Sequence, residues 1–317
     1  ARYDEKDSER RYIDFQKLKY EQYFDNISLK IGNDLVFWGV NESFNIVDII
    51  NQSNLTENIS GTKKLGQPML SFNYFNDYGS FDFYFMPLFV ERQFPGKDGR
   101  PRLLLEIDKN TTSYQSSLKQ NKLDLAVRYS GVIEDFDFGI SLFHGNNRTP
   151  ELNINPVTAK LETHYPILTQ TSIDLQSTKG PYLYKLESLY AKNENEKHFS
   201  TAGGIEYTFY GIRETPQDLG FVIEYIFDDR NNYPNNNEGV LATRWTKNDI
   251  NSTSLLTGVI FDLSGRSNIY IAEFERRIRN DLKVFIDTSI YGKIDKSDFN
   301  HAFNEDSRVT IKISKYF

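Results

Sequence analysis

Apolar and polar side chains alternate along much of this chain, and the alternation is clearest near its end. Residues 281–291 place Leu282, Val284, Ile286 and Ile290 on one side of an extended strand and polar groups on the other. A period of two residues is that of a β-strand with one apolar and one polar face. The pattern recurs in segments of about ten residues divided by turn residues, which is typical of a membrane-spanning β-barrel.

The periodicity predicts fifteen strands, near residues 11–24, 26–38, 68–76, 79–90, 120–130, 133–144, 166–177, 180–193, 198–210, 217–228, 238–247, 251–263, 267–278, 281–291 and 307–317. Short turns alternate with long polar segments at 39–67, 91–119, 145–165, 229–237 and 292–306, as in outer-membrane barrels. We therefore expect an all-β fold: one domain over residues 1–317, a transmembrane antiparallel up-and-down β-barrel of about 14–16 strands. Because such barrels have even strand numbers, we expect one strand to be miscounted or an upstream strand to be missing.

Composition limits the alternatives to this fold. Hydrophobic residues make up 38% of the chain, and no apolar run approaches the length of a membrane-spanning helix, so a helical membrane protein is excluded. Aromatic residues reach 15%, which suits the girdles of a barrel, although a soluble β-sandwich remains an alternative. The net charge of −7 argues against nucleic acid as a partner.

One segment departs from the period of two. Between residues 39 and 67, Phe44, Val47 and Ile50 recur at helical spacing. We expect a short helix that folds inward and plugs or constricts the barrel, with Trp38 and Glu42 at its start.

Charged residues on the polar side of each strand are the candidates for lining a lumen, because charge facing lipid is costly. They are Asp82, Asp124, Arg128, Asp137, Lys185, Glu187, Glu206, Glu224, Arg244, Glu273, Glu275, Arg277, Lys283 and Asp287. Acids outnumber bases, which predicts a pore that prefers cations or neutral polar solutes. The alternative is a closed, salt-bridged interior that does not conduct.

Residues 31–43 carry the most distinctive local sequence, with Trp38-Gly39 followed by Glu42. The segment resembles the strand ending in Trp-Gly-Glu in a family of mostly uncharacterised, porin-like outer-membrane barrels of Gram-negative bacteria. In this chain Val40 and Asn41 displace the acidic position. The resemblance implies a place in the outer membrane and a pore or transport role, without assigned catalytic residues. We expect outer-membrane lipid and lipopolysaccharide as partners.

The expected function is therefore a passive or gated channel for small solutes through an acidic lumen. One alternative is a transporter of hydrophobic, lipid-like molecules occluded by the plug. Another is a structural or surface-binding barrel, with periplasmic or membrane protein partners and no transport role. No enzyme activity, cofactor or metal site is expected, since the four histidines are scattered and no Gly-x-Ser-x-Gly motif occurs.

Overall fold

A computed structural model describes residues 2–57, 62–230, 237–263, 267–292, 294, 301 and 303–316. In chain order its strands are β1 (Leu18–Phe24), β2 (Ile27–Asp34), β3 (Gln67–Asn76), β4 (Gly79–Met86), β5 (Ser113–Tyr114), β6 (Asp124–Ile133), β7 (Phe136–Asn146), β8 (Glu151–Ile154), β9 (Leu161–Tyr165), β10 (Ile167–Lys179), β11 (Tyr182–Lys192), β12 (Lys197–Phe209), β13 (Asp218–Asp228), β14 (Asn237–Thr246), β15 (Ser254–Asp262), β16 (Asn268–Arg279), β17 (Leu282–Tyr291) and β18 (Arg308–Lys315). Short 3₁₀ turns lie at Ser8–Arg10, Lys109–Thr111, Lys119–Asn121 and Ile212–Glu214.

Fifteen of these strands form one antiparallel sheet, in which spatial neighbours follow chain order once β5, β8 and β9 are set aside. Each predicted strand corresponds to one of the fifteen, so the all-β, antiparallel prediction is confirmed. The strand order begins at β1 and ends at β18, and no ladder joins these two in the described part of the chain. Closure into a barrel therefore stays a prediction.

A second, three-stranded sheet was not predicted. It consists of β5, β9 and β8, with β5 parallel and β8 antiparallel to β9. Its strands come from the segments 91–119 and 145–165, which the sequence pattern assigned to loops. These strands have two to five residues, too few to establish a period of two.

The chain divides into two compact units, and the main sheet contributes strands to both. The first unit contains residues 1–39, 45–175 and 187–199. The second contains residues 40–44, 176–186 and 200–317. We call the side of the sheet that touches the residues following β2 the inner face of each unit, and the opposite side its outer face.

The two faces have the polarity that the alternation predicts. On β13, the outer-face side chains Phe221, Ile223, Tyr225 and Phe227 are 40–59% exposed, whereas Glu224 on the inner face is 2% exposed. On β4, Phe81, Phe83 and Phe85 are likewise exposed and Tyr84 and Met86 are buried. On these strands apolar side chains are thus exposed on the outer face, the reverse of a water-soluble sheet, while the inner face buries both charged and apolar groups.

The prediction of a helix within residues 39–67 is wrong. The described residues there, up to the start of β3 at Gln67, form bends, turns, isolated bridges and irregular chain. Val47 and Ile50 are fully buried, but Phe44 packs in the second unit and Val47 in the first. The spacing of these apolar residues therefore reflects contacts with two different apolar clusters, and it does not indicate one apolar face of a helix.

Candidate functional site

Residues 45–57 cover the inner face of the first unit. Val47 and Ile50 join a cluster with Trp38, and its wall residues are Met69, Tyr84, Met86, Ala126, Phe143, Leu168, Leu189 and Ala191. The backbone N–H of Val47 donates to the Glu187 carboxylate over 3.3 Å, and Glu187 has no exposed surface. The candidate lumen residue Glu187 thus holds the segment's backbone rather than facing open solvent.

Arg148 fixes the same segment from a position that sequence reasoning missed. Its guanidinium pairs with Asp124 at 2.7 Å and donates to the carbonyl of Ile50 at 3.0 Å. The rings of Phe89 and Phe143 lie 5.2 and 4.9 Å from its Cζ atom. Since both members of the pair are buried, removing either would leave an uncompensated charge. Arg148 stands between β7 and β8 in a predicted loop, and no local pattern marks its partner.

Arg128 and Asp174 form a second ion pair on the inner face of the first unit. The guanidinium donates two parallel hydrogen bonds of 2.6 and 2.7 Å to the Asp174 carboxylate, and it lies 5.4 Å from the Trp38 ring. On the neighbouring strand Asp82 stands opposite Arg128 and accepts a 2.7 Å hydrogen bond from Asn73. Asp137 stands opposite Val132, which lies on the same face of β6 as Arg128. Asp137 therefore belongs to the inner face, but it is exposed near the β6–β7 turn.

Asp48 belongs to the irregular segment, outside the strands. Burial raises the pKa of its carboxyl, and Lys64 at 3.2 Å together with the Trp38 N–H at 3.3 Å offsets part of that rise. The segment therefore carries a carboxylate that is costly to ionise.

A denser charge cluster holds residues 40–44 in the second unit. The Glu224 carboxylate accepts the backbone N–H groups of Glu42 and Ser43 at 2.5 and 2.9 Å. Arg244 pairs with Glu42 and with Glu206, the latter at 3.2 Å. Lys185 lies 3.3 Å from Glu206 and 3.9 Å from Glu224. We call Glu42, Lys185, Glu206, Glu224 and Arg244 the latch.

Beside the latch, Phe44 packs on an apolar patch of the inner face. The patch is formed by Val222, Val240, Ala242 and Leu256, with Ile260 packed against it. Phe44, predicted as a constriction residue, therefore covers wall side chains of the second unit.

The remaining candidates lie on β16 and β17. Register places Glu273 opposite Asp287 and Arg277 opposite Lys283, so these four share the inner face of the second unit with Glu275. Lys283 pairs with Glu275, and Asp287 pairs with Arg308 at 3.6 Å. None of the five belongs to the latch, so the candidates form separate charge groups.

One further contact bears on catalysis. In the small sheet, Ser113 Oγ lies 2.9 Å from His164 Nδ1, and His164 Nε2 lies 2.9 Å from the Glu194 carboxylate. The order serine, histidine, acid is that of a hydrolytic triad, but the two ring nitrogens are exchanged, and Ser113 and Glu194 are exposed. Water competes for each of these hydrogen bonds, so the three side chains lack the dry, fixed environment that activates a serine.

No protein-family model matches the chain, and no curated protein matches it in sequence. Among the described residues, no helix is long and apolar enough to cross a membrane.

Proposed function

We propose that this protein is an outer-membrane β-barrel channel for small solutes, gated by the segment that follows β2. The observation that carries the proposal is the outer face: long antiparallel strands expose aromatic and aliphatic side chains at alternate positions. A face of this kind, repeated over many strands, is unstable in water and favourable in lipid. The inner face, which carries the ion pairs and buried carboxylates, is the side that would line a hydrated lumen.

Gating is supported by how the segment is held. Buried carboxylates bind its backbone N–H groups, through Glu187 in the first unit and Glu224 in the second. A permanent filler of the lumen could be held by apolar packing alone, whereas charged ties are sensitive to solutes, salt and pH. The acidic inner-face residues would favour cations and neutral polar solutes.

Planar-bilayer recording tests the proposal. The wild-type protein should give steps of ion current, and Glu42→Gln should increase the open fraction because it removes the carboxylate that Arg244 holds. Lys247→Gln is a matched control, because it breaks an ion pair with Asp249 at 3.4 Å that lies outside the latch.

Other results would select the alternatives. A silent barrel that retains a lipid-like ligand would indicate a transporter of hydrophobic molecules. A silent barrel without ligand would indicate a structural or surface-binding role.

A further inference from the structure

The apolar patch under Phe44 extends beyond the phenylalanine. In the sheet register Ala242 stands opposite Gly258 and Gly258 opposite Ile271. In the next row Val240 stands opposite Ile260 and Ile260 opposite Ile269. Ile260, Ile269 and Ile271 keep part of their surface exposed, whereas Val222 and Val240 are fully covered. An apolar surface on an otherwise charged inner face thus continues past the residue that covers it.

Glu42 and Phe44 together have the chemistry of a ligand. The Phe44 ring rests on the patch, and the Glu42 carboxylate meets the guanidinium of Arg244 at the edge of the patch. The side chains of Arg244 and Glu42 keep 33% and 29% of their surface exposed, so water and solutes reach this ion pair. A partly exposed ion pair of this kind contributes less to stability than a buried one and is open to exchange with a solute.

The guanidinium of Arg244, which holds Glu42, favours an anion as the replacement. Without Glu42, the two bases Lys185 and Arg244 balance the two acids Glu206 and Glu224. A carboxylate that replaced Glu42 would restore the present charge and the pairing of Arg244. A cationic group at this position would face that guanidinium instead.

We propose that Glu42 and Phe44 are an internal occupant of a ligand subsite, and that the subsite takes an amphipathic organic carboxylate. The apolar body of the ligand would replace Phe44 on the patch, and its carboxylate would replace Glu42 on Arg244. Binding would release residues 40–44 from the wall of the second unit. This inference rests on the proposed function, because it supplies the chemical class of the ligand that opens the gate.

The test uses the absence of cysteine from the chain. Ser43→Cys places a single thiol in the segment without removing the contact to Glu224, because that contact is made by the backbone N–H. The rate of labelling by a water-soluble maleimide is measured in detergent with 3-phenylpropionate, 3-phenylpropylamine or 3-phenyl-1-propanol. The carboxylate should raise the rate severalfold, and the amine and the alcohol should not.

Variants in the Ser43→Cys background assign the effect. Arg244→Gln should abolish the response to the carboxylate, Arg244→Lys should retain part of it, and the control Lys247→Gln should leave it unchanged. Glu42→Gln should lower the concentration of 3-phenylpropionate that gives half the effect, because the internal competitor is weakened. Equal responses to all three compounds, or a full response in Arg244→Gln, would overturn the proposal.

The labelling experiment separates the subsite from the channel. Labelling in detergent requires no conduction, so a carboxylate response in a protein that is silent in bilayers would retain the subsite and reject the channel. Conduction without a carboxylate response would retain the channel and reject the subsite.

Discussion

At the scale of single residues, charged side chains of the inner faces lie against glycines of neighbouring strands. A Cβ atom built on Gly139 would fall 2.0 Å from the Arg128 guanidinium. One built on Gly145 would fall 2.4 Å from the Asp124 carboxyl carbon. The absence of a side chain at these positions lets the arginine and the aspartate reach their partners along the wall.

Gly139→Ala should therefore destabilise the protein by about 1–3 kcal/mol, the usual cost of overpacking. The added methyl group displaces Arg128, which then loses part of its pairing with Asp174. Thermal unfolding in detergent measures the effect. Gly220→Ala is the matched inner-face control, since its Cβ would meet its nearest neighbour at an ordinary 3.5 Å. Equal unfolding temperatures for the two variants would contradict this explanation.

Asp48 predicts a pH dependence. Its folded-state pKa is raised, mainly by burial, so the folded protein holds this proton more tightly than the unfolded chain does. The contribution of the neutral carboxyl to stability is fully present below the unfolded pKa and is lost as pH rises through the folded pKa. Asp48→Asn, which stays neutral, should therefore gain stability relative to wild type from about pH 4 upward. Unfolding curves at several pH values check this, and a difference that shrinks as pH rises would contradict it.

Sequence could assign such residues to a face but could not identify their partners. The period of two placed Arg128 and Glu224 on the polar side of their strands. The hydrogen bonds that the backbone of Glu42 and Ser43 donates to Glu224 join residues about 180 positions apart. The hydrogen bond from Arg148 to Ile50 joins positions in two predicted loops. Contacts of this range depend on tertiary packing, which no local pattern encodes.

At the scale of elements, the accuracy of a prediction from sequence depends on the length of the element and on the surfaces that it contacts. The long strand β13 alternates buried and exposed residues over four cycles, and it was predicted close to its observed ends. The two residues of β5 carry no period at all. In residues 39–67, apolar spacing of three alone cannot separate a helix from an irregular chain that packs on two surfaces.

The faces of β17 predict opposite effects at adjacent positions. Register places Ser289 on the inner face and Thr288 on the outer face. Thr288→Lys should impair insertion into membranes, because a lysine on the lipid side costs up to about 2–4 kcal/mol, the cost being largest at the midplane. Ser289→Lys should insert nearly as well as wild type, because its ammonium group faces the polar side. Equal insertion yields in refolding assays with vesicles would count against the assignment of faces.

At the scale of the whole molecule, the main observation is that the two faces of the sheet differ in polarity. Strands along the sheet present apolar side chains on one face, while the other face carries ion pairs, hydrogen-bonded hydroxyls and the segment after β2. That distribution is the support for our proposal that the surrounding medium is a membrane. The sequence could predict which face is apolar because the period of two repeats over many residues. An error in the bounds of one strand therefore does not change the assignment of faces.

Ion selectivity is the corresponding whole-molecule prediction. Acids outnumber bases among the candidate lumen residues, although several of them are paired, so permeation should favour cations modestly. The preference should fade as salt rises, because the Debye length is about 10 Å at 0.1 M. Reversal potentials across a salt gradient measure it. Anion preference at low salt would mean that other charges set the field in the pore.

The most direct test of the proposal that the sheet spans a membrane is a spin-label scan of β17. Each position from 283 to 290 is replaced in turn by cysteine in this cysteine-free chain, labelled with a nitroxide and reconstituted into phospholipid vesicles. Electron paramagnetic resonance then measures collisions with oxygen, which concentrates in lipid, and with a water-soluble nickel chelate. The account predicts a period of two in both, with oxygen collisions highest at 284, 286, 288 and 290 and nickel collisions highest at 283, 285, 287 and 289. Equal access of the nickel chelate to both sets would contradict a strand that has one face in lipid.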